Sequence, residues 1–478
     1  MTNEQIQITN DRYRLGYHVM PKSGWINDPN GFCYFNEYYH IFYQHYPYSP
    51  EWGPMHWGHA RSKDLVHWED LPIALTPGST EDKDGCFSGS AIVKDDTLYL
   101  FYTGHHYYGD NDPDHFWQNQ NMAYSTDGVN FTKYENNPII ESEPEDNTHH
   151  FRDPKVWEDN GKYYMILGSQ GKDGLGRVIL YQSDNLKEWD YIGDIAKSES
   201  IEKEGFMWEC PDFFSLNNKD ILLCSPQGIE QQGKEYLNLF QTGYFLGHLN
   251  EEKTTFSHDR FIELDYGHDF YAAQTTTTPD GRRILIGWMA MWESPMPEKE
   301  DGWAGALTLP RELVLLDNHL YMKPVDELKE LRTQTLDSGH IYLEEATLLS
   351  KLSKQSSHIE VNLEHKFEER KEITTSFELK DASNQLLLSL NYDNQTNEFK
   401  LYRPDKDDSR FALISAKNTV ELQIFIDKSS VEIFINGGEA VFTERYYTED
   451  VPQVWINASD GVATNYDLYQ LNEKAMQY

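Results

Sequence analysis

Cysteine is scarce in this sequence. Four thiols, Cys33, Cys86, Cys210 and Cys224, are spread over 478 residues with no C-x-x-C pair, which excludes a disulfide framework and the thiolate zinc patterns. Long apolar runs are missing as well. No stretch approaches the roughly 20 residues that a membrane-spanning helix requires, and the opening MTNEQIQITNDRYRLGYH lacks the apolar core of a secretory signal. Positive charge is short: 41 Lys and Arg stand against 79 Asp and Glu, a formal net charge of −38. A field of that sign repels polyanions, so nucleic acid and anionic membranes are excluded as partners. These absences point to a cytoplasmic protein, in which the sequons at Asn130, Asn394 and Asn457 carry no sugar. Nothing requires a metal or cofactor. The pairs His105-His106 and His149-His150 have no further ligands at metal-site spacing and read as surface or loop residues.

Aromatic residues, by contrast, are plentiful, with 31 Tyr, 23 Phe and 12 Trp, which suits a strand-rich fold with stacking surfaces. Five segments share one design of apolar strand, polar turn and second strand: NDPNGFCYFNEYYHIFYQ, FSGSAIVKDDTLYLFYTG, RDPKVWEDNGKYYMILGS, CPDFFSLNNKDILLCSPQG and AAQTTTTPDGRRILIGWM. Aligned on Pro29, Gly89, Pro154, Pro211 and Ala273, they recur about every 60 residues. Their turns, from Asn36-Glu37 and Asp95-Asp96 to Pro279-Asp280-Gly281, carry the residues hairpins need. A weaker pattern between them, RSKDLVHWED, STDGVNFTKY and SDNLKEWDYI, adds an outer hairpin holding a buried Trp68, Phe131 or Trp189. Four short strands per unit and five units predict an all-β chain with a five-bladed β-propeller over residues 1–325. A connector containing the short helical piece PVDELKELRTQ is expected to run through 326–345. Over 346–478, period-two stretches such as TTSFELK, QLLLSLNYD and VELQIFIDKSSVEIFING predict a C-terminal antiparallel β-sandwich.

In a propeller the first strand of each blade lines the axis, and its start opens at one end of the channel. Asp28 stands just before Pro29, Asp153 just before Pro154, and Glu209 two residues before Pro211. Their shared phase brings three acids to one mouth. Such a set suits glycoside hydrolysis: one carboxylate attacks the anomeric carbon, a protonated one feeds the leaving oxygen and later activates water, and a third grips ring hydroxyls. Glu209, beside Trp208 and near two aspartates, fits the acid, whose pKa burial and negative neighbours raise. Asp28, in a stiff Asn-Pro corner, fits the nucleophile, and Asp153, next to Arg152, is expected to stay ionised. The competing use of such acids is calcium binding, but no EF-hand-like loop is present. Trp25, Trp52, Phe87 and Trp288, near the strand openings, offer aromatic platforms for a sugar, and Gln44 an amide.

The motifs RLGYHVMPKSGWINDPNG, GCFSGSA, FRDPKVW, MWECPDFF, LDYGHDFYAAQT, GWAGALTLPREL and IFIDKSSVEIFINGGEAVFTERYY together resemble glycoside hydrolase family 32 over nearly the whole chain. That resemblance implies a five-bladed propeller followed by a β-sandwich. It also implies retaining release of the terminal β-D-fructofuranosyl unit from sucrose, sucrose 6-phosphate or short fructo-oligosaccharides, without a cofactor. It gives Asp28 the role of nucleophile, Glu209 that of acid/base and Asp153 that of transition-state stabiliser. Asn27, Gln44, Trp52, Phe87, Ser88 and Arg152 line the fructosyl subsite, with Trp288 as a further wall and Cys210 placed to tune the acid/base. Ile26 and Ala273 depart from the family's common Met and Pro, away from the chemistry. A fructosyltransferase and a non-catalytic carbohydrate-binding protein are the alternatives; the presence of all three acids argues against the second. The partner expected is a small sugar, and a homo-oligomer is compatible with the sequence.

Overall fold

A computed structural model of the chain describes residues 4–349, 357–368 and 371–478. The chain is all-β: among the described residues the helical pieces are short, Ile201–Glu204, Pro297–Asp301 and Asp326–Leu331. Five sheets follow one another in the first two thirds, antiparallel except that the short strands Trp303–Ala304 and Met476–Gln477 join the edges of the first in parallel. Their first strands are Gly24–Phe35, Gly85–Lys94, Asn147–Asp159, Met207–Leu216 and Tyr271–Thr277, and we number the sheets I to V in that order. Each first strand packs against the first strands of the sheets before and after it, and the fifth packs against the first, closing a ring. Two-residue turns join first and second strands in sheets I to IV. Asn36-Glu37, Asp95-Asp96, Asn160-Gly161 and Asn217-Asn218 all take positive φ at both positions, the conformation that matches the twist of the flanking strands and that Asn, Asp and Gly accept most readily. Of the outer-hairpin aromatics, Trp68 is buried, whereas Phe131 and Trp189 are half-buried.

One irregularity repeats. In every sheet the pairing of first and second strand shows a shift with three steps on the first strand against two on the second, and sheets I and III carry a second irregularity, at Asn30–Cys33 and Asn147–Phe151. The shift falls between Ile26 and Pro29, Cys86 and Gly89, Arg152 and Lys155, Glu209 and Asp212, and Tyr271 and Gln274. Each is a β-bulge, the device that bends a strand and re-aims its side chains.

The last third forms two six-stranded sheets. One contains Arg332–Leu343, Val462–Leu471, Ile359–Lys366, Thr419–Asp427, Ser430–Ile435 and Ala440–Arg445; the other contains Gln453–Ala458, Thr374–Lys380, Leu386–Asp393, Glu398–Arg403, Asp408–Leu413 and the short Thr347–Leu348. Val361, Leu363, Ile424 and Ile433 from the first meet Phe377, Leu379, Leu390 and Ile456 from the second in one core. The connector expected over 326–345 is shorter than that. Arg332–Leu343 is a strand paired along its length with Val462–Leu471. It is mostly exposed, so it carries no alternation of apolar residues, and the period-two signal is silent there.

The two parts share a buried ionic network. Arg311, fully buried, donates to Asp265 Oδ2 (2.8 Å), Glu432 Oε2 (2.7 Å) and Thr443 Oγ1 (2.6 Å). His18 lies between Asp427 Oδ2 and Glu432 Oε1, both at 2.7 Å. Burial alone would push His18 down, but its hydrogen bonds to the two carboxylates win and lift its pKa to about 9, so both ring nitrogens donate at neutral pH. A group raised in this way contributes stability that is complete below its unfolded value of about 6.5 and lost as pH rises through the folded value. Unfolding free energy is therefore expected to fall from pH 6.5 towards 9, and His18→Gln should lack that part of the fall in urea titrations. Removing the shared cation with Arg311→Met should cost roughly 3–5 kcal/mol, because it strands buried carboxylates.

Candidate active site

The bulges explain how the site is assembled. Taking the five register shifts as equivalent, Arg152, Glu209 and Tyr271 occupy the same position, just before the bulge, in sheets III, IV and V. These three touch one another. Arg152 Nε and Nη2 donate to Glu209 Oε1 at 2.9 and 2.8 Å, while Tyr271 donates to Glu209 Oε2 at 2.6 Å. Gln227 Nε2 adds a fourth donor, to Oε2, at 2.9 Å. Asp28 and Ser88 share the second bulge position in sheets I and II, and Ser88 Oγ donates to Asp28 Oδ2 at 2.6 Å. Asp153 and Cys210 share the first bulge position in sheets III and IV, and the Cys210 amide donates to Asp153 Oδ2 at 2.8 Å. Contacts between equivalent positions of adjacent sheets thus build the polar lining. Asp153 and Cys210 take φ of 65° and 47°, left-handed conformations that are costly for residues with a side chain.

Asp28, Asp153 and Glu209 line one cavity of about 430 Å³. The Cys210 thiol ties two of them together, 3.3 Å from Asp28 Oδ2 and 3.6 Å from Asp153 Oδ2. Asn27 Nδ2 donates to Asp28 Oδ1 at 3.1 Å, and Trp25 Nε1 holds the Asn27 oxygen at 2.7 Å. Burial, and then the Glu209 charge, raise the Asp28 pKa even against these donors. Asp153 is likewise raised, by burial first and by Glu209 next. The Arg152 guanidinium turns its hydrogen bonds to Glu209, while its charge still favours ionised Asp153 against burial and the Glu209 charge. The thiol of Cys210 is pushed well up by burial and by Asp153 and Asp28, so it stays protonated and acts as a donor.

Asn27, Gln44, Trp52, Phe87, Ser88 and Arg152 all line the cavity. Gln44 Nε2 is anchored on Asn30 Oδ1 (2.8 Å) and the Cys86 carbonyl (3.0 Å). Trp52 stands 38 % exposed at the rim, edge-on to Phe87. The other two tryptophans are corrections. Trp25 and Trp288 are buried behind the wall, the first stacked on Trp292 and the second tilted against it, and Trp292 is the residue that faces the cavity. The histidine pairs are also not surface loops. His105 is buried and stacks on Phe87 at 4.1 Å, His106 stacks on Trp117 at 3.7 Å, and His150 accepts from Arg152 Nη1 at 3.0 Å. Tyr107, Pro113, Asp114, Phe116, Gln118, Gln227, Phe240 and Glu293 complete the lining. Only the alternation within FYTGHHY hinted at any of them, since His105 falls on the same strand face as the buried Thr103.

Two buried carboxylates and a half-buried one in an aromatic-walled cavity, with a guanidinium on one and a hydroxyl and a thiol on another, define a glycoside hydrolase. Comparison with known proteins agrees. Residues 18–324 match the description "Glycosyl hydrolases family 32 N-terminal domain", and residues 327–470 match "Glycosyl hydrolases family 32 C terminal". The chain belongs to glycosyl hydrolase family 32. It is 42% identical over 456 residues to a sucrose-6-phosphate hydrolase of Zymomonas mobilis (90% of this chain, 85% of that one) and 39% identical over 455 residues to the raffinose invertase of Escherichia coli (94% and 92%). Among solved structures, a Bombyx mori β-fructofuranosidase in complex with sucrose superposes with a TM-score of 0.88 at 38% identity, covering 98% of this chain and 96% of its own.

The thiol chemistry is open to direct test. Native protein should resist an aromatic disulfide reagent at pH 8 and release four thiols once unfolded, since all four cysteines are free. Asp28→Asn with Asp153→Asn removes the neighbouring charge, which lowers the Cys210 pKa. Faster labelling of Cys210 in that variant is expected; an unchanged rate would contradict the electrostatic account of this thiol.

Proposed function

We propose that this chain is a retaining β-fructofuranosidase that releases the terminal non-reducing β-D-fructofuranosyl unit from sucrose, sucrose 6-phosphate or short fructo-oligosaccharides. The observation that carries the reading is the convergence of Asp28, Asp153 and Glu209 on one cavity, each with a different set of hydrogen-bond donors. The names of the relatives support the substrate class. On the same reading the five ring-forming sheets are the blades of a five-bladed β-propeller ending near residue 325, and the two C-terminal sheets are a β-sandwich. The free thiols favour a cytoplasmic location.

In the first step the Glu209 carboxyl donates its proton to the glycosidic oxygen as an Asp28 oxygen attacks C2 of the fructosyl ring. The C2–O bond breaks, the leaving sugar departs with the proton, and a fructosyl ester forms on Asp28. Tyr271 also has the Ser225 carbonyl at 3.2 Å, so its hydroxyl hydrogen has an alternative acceptor while Glu209 carries a proton. Ser88 and Cys210 each donate to Asp28 Oδ2, and Asn27 to Oδ1, which disperses the charge of the carboxylate that attacks and later leaves. Asp153, negative beside the ring, stabilises positive charge developing at C2 and binds ring hydroxyls. In the second step Glu209 takes a proton from water, the hydroxide oxygen bonds to C2, and the Asp28 ester bond breaks with retention.

Asp28→Ala should lower kcat on sucrose by about 1,000-fold or more with the far-ultraviolet spectrum unchanged. Glu209→Ala should be comparably slow on sucrose, yet it should form the fructosyl ester at a near-normal rate from a fructoside whose leaving group needs no proton. Ordinary turnover of sucrose by Asp28→Ala would sink the assignment.

A further inference from the structure

The deep part of the cavity holds the fructosyl unit on the reading above, and the inference that follows rests on that reading. The leaving group then lies towards the rim, where the more exposed lining residues Tyr107, Asp114, Phe116, Phe240, Trp292 and Glu293 stand. In sucrose 6-phosphate the phosphate sits on the glucosyl part, so it has to be received there.

The rim has nothing to receive it with. Among the described residues Arg152 is the single Lys or Arg lining the cavity, and its guanidinium is committed to Glu209 and His150. The rim segments themselves carry the opposite sign. Residues 105–118 contain three aspartates, ending at Asp114, and no Lys or Arg; residues 140–151 contain three glutamates and Asp146, again without a cation; residues 284–298 contain Glu293 and Glu298 and none either. Lys234 is paired with Glu398 and Lys299 with Glu51, both at 2.6 Å, and Lys406, which donates to Ser294 beside Glu293, also faces Asp269 at 3.8 Å. Nor do the rim histidines make up the deficit. His150 accepts from Arg152 and is therefore neutral, and burial together with Arg152 holds it down at about 2. Burial and Arg152 likewise hold His105 down at about 3.

We propose that the leaving-group side of this site is built for an uncharged sugar and discriminates against a phosphate on the leaving sugar, with Asp114 and Glu293 as the specificity-determining residues. A carboxylate at the rim accepts hydrogen bonds from sugar hydroxyls, whereas a phosphate dianion offers it none and meets repulsion at short range. Glu293 takes φ of 65°, so the backbone there stays in a conformation that side-chain-bearing residues seldom adopt. The substrate class is thus neutral sucrose and its uncharged extensions.

The test is kcat/KM for sucrose and for sucrose 6-phosphate, measured at low ionic strength and again with added NaCl. Sucrose should be preferred by about tenfold or more, and the gap should narrow as salt screens the rim. Glucose should compete better than glucose 6-phosphate. In Asp114→Lys/Glu293→Lys the ratio of the two specificity constants should move about tenfold towards the phosphorylated sugar. Equal or better cleavage of sucrose 6-phosphate by the unaltered protein would overturn the inference while leaving the β-fructofuranosidase reading intact. Cleavage of neither sugar would overturn that reading, and this inference with it.

Discussion

A single extra residue, inserted at the same register in each of five first strands, is the constraint on which this site depends. A regular strand alternates its side chains between two faces, so consecutive residues point apart. The bulge breaks that alternation at the mouth of the ring and lets Asn27 and Asp28, or Phe87 and Ser88, line one cavity. Because the ring places equivalent positions side by side, several residues at and before the bulges meet their counterparts in the next sheet. Arg152, Glu209 and Tyr271 form one such row, Asp28 and Ser88 another, Asp153 and Cys210 a third. The cost is visible in the left-handed backbone at Asp153, Cys210 and Ala272, and the closed ring is what holds those residues there.

Below the bulges the same logic closes the channel. Lys155, Asp212 and Gln274 follow the bulges in sheets III, IV and V. Lys155 Nζ donates to the Thr275 carbonyl (2.7 Å) and pairs with Asp212 (3.2 Å), while Gln274 reaches across to the Gly89 carbonyl (2.9 Å). The charged groups on this side of the ring mostly have partners, which distinguishes it from the catalytic mouth. There, three carboxylates are kept close, and burial and mutual repulsion raise Asp28 and Asp153. That arrangement is unfavourable for folding and useful for chemistry, since it concentrates negative charge where positive charge develops on the ring.

Much of this was legible from the residues alone, and the exceptions have physical causes. The hairpin turns were readable because Asn, Asp and Gly at paired positions have few other uses. The three acids were found by their place in the repeat. Their phase was misread by one residue, however: aligning Pro29 with Pro154 equates Asp28 with Asp153, whereas the bulges equate Asp28 with Pro154 and Asn27 with Asp153. A bulge adds a residue without any compositional mark, so sequence alignment on prolines cannot register it. Trp25 and Trp288 were taken for walls because a tryptophan near a strand opening looks the same whether it faces the cavity or stands behind it; Trp292, four residues on, holds the exposed place. The direction of Arg152 was equally hidden. Its neighbour in sequence is Asp153, but its neighbour in space is the residue at its own position in the next sheet.

The central claim is the division of labour among the three carboxylates, and one measurement reaches it most directly. Glu209→Ala lacks the base that releases the fructosyl ester, so an activated β-fructofuranoside should load it and leave it loaded. Mass spectrometry of the proteolysed enzyme should then locate a fructosyl group on the peptide containing Asp28. An adduct on the Asp153 peptide, or turnover with inversion and no adduct at all, would contradict the account.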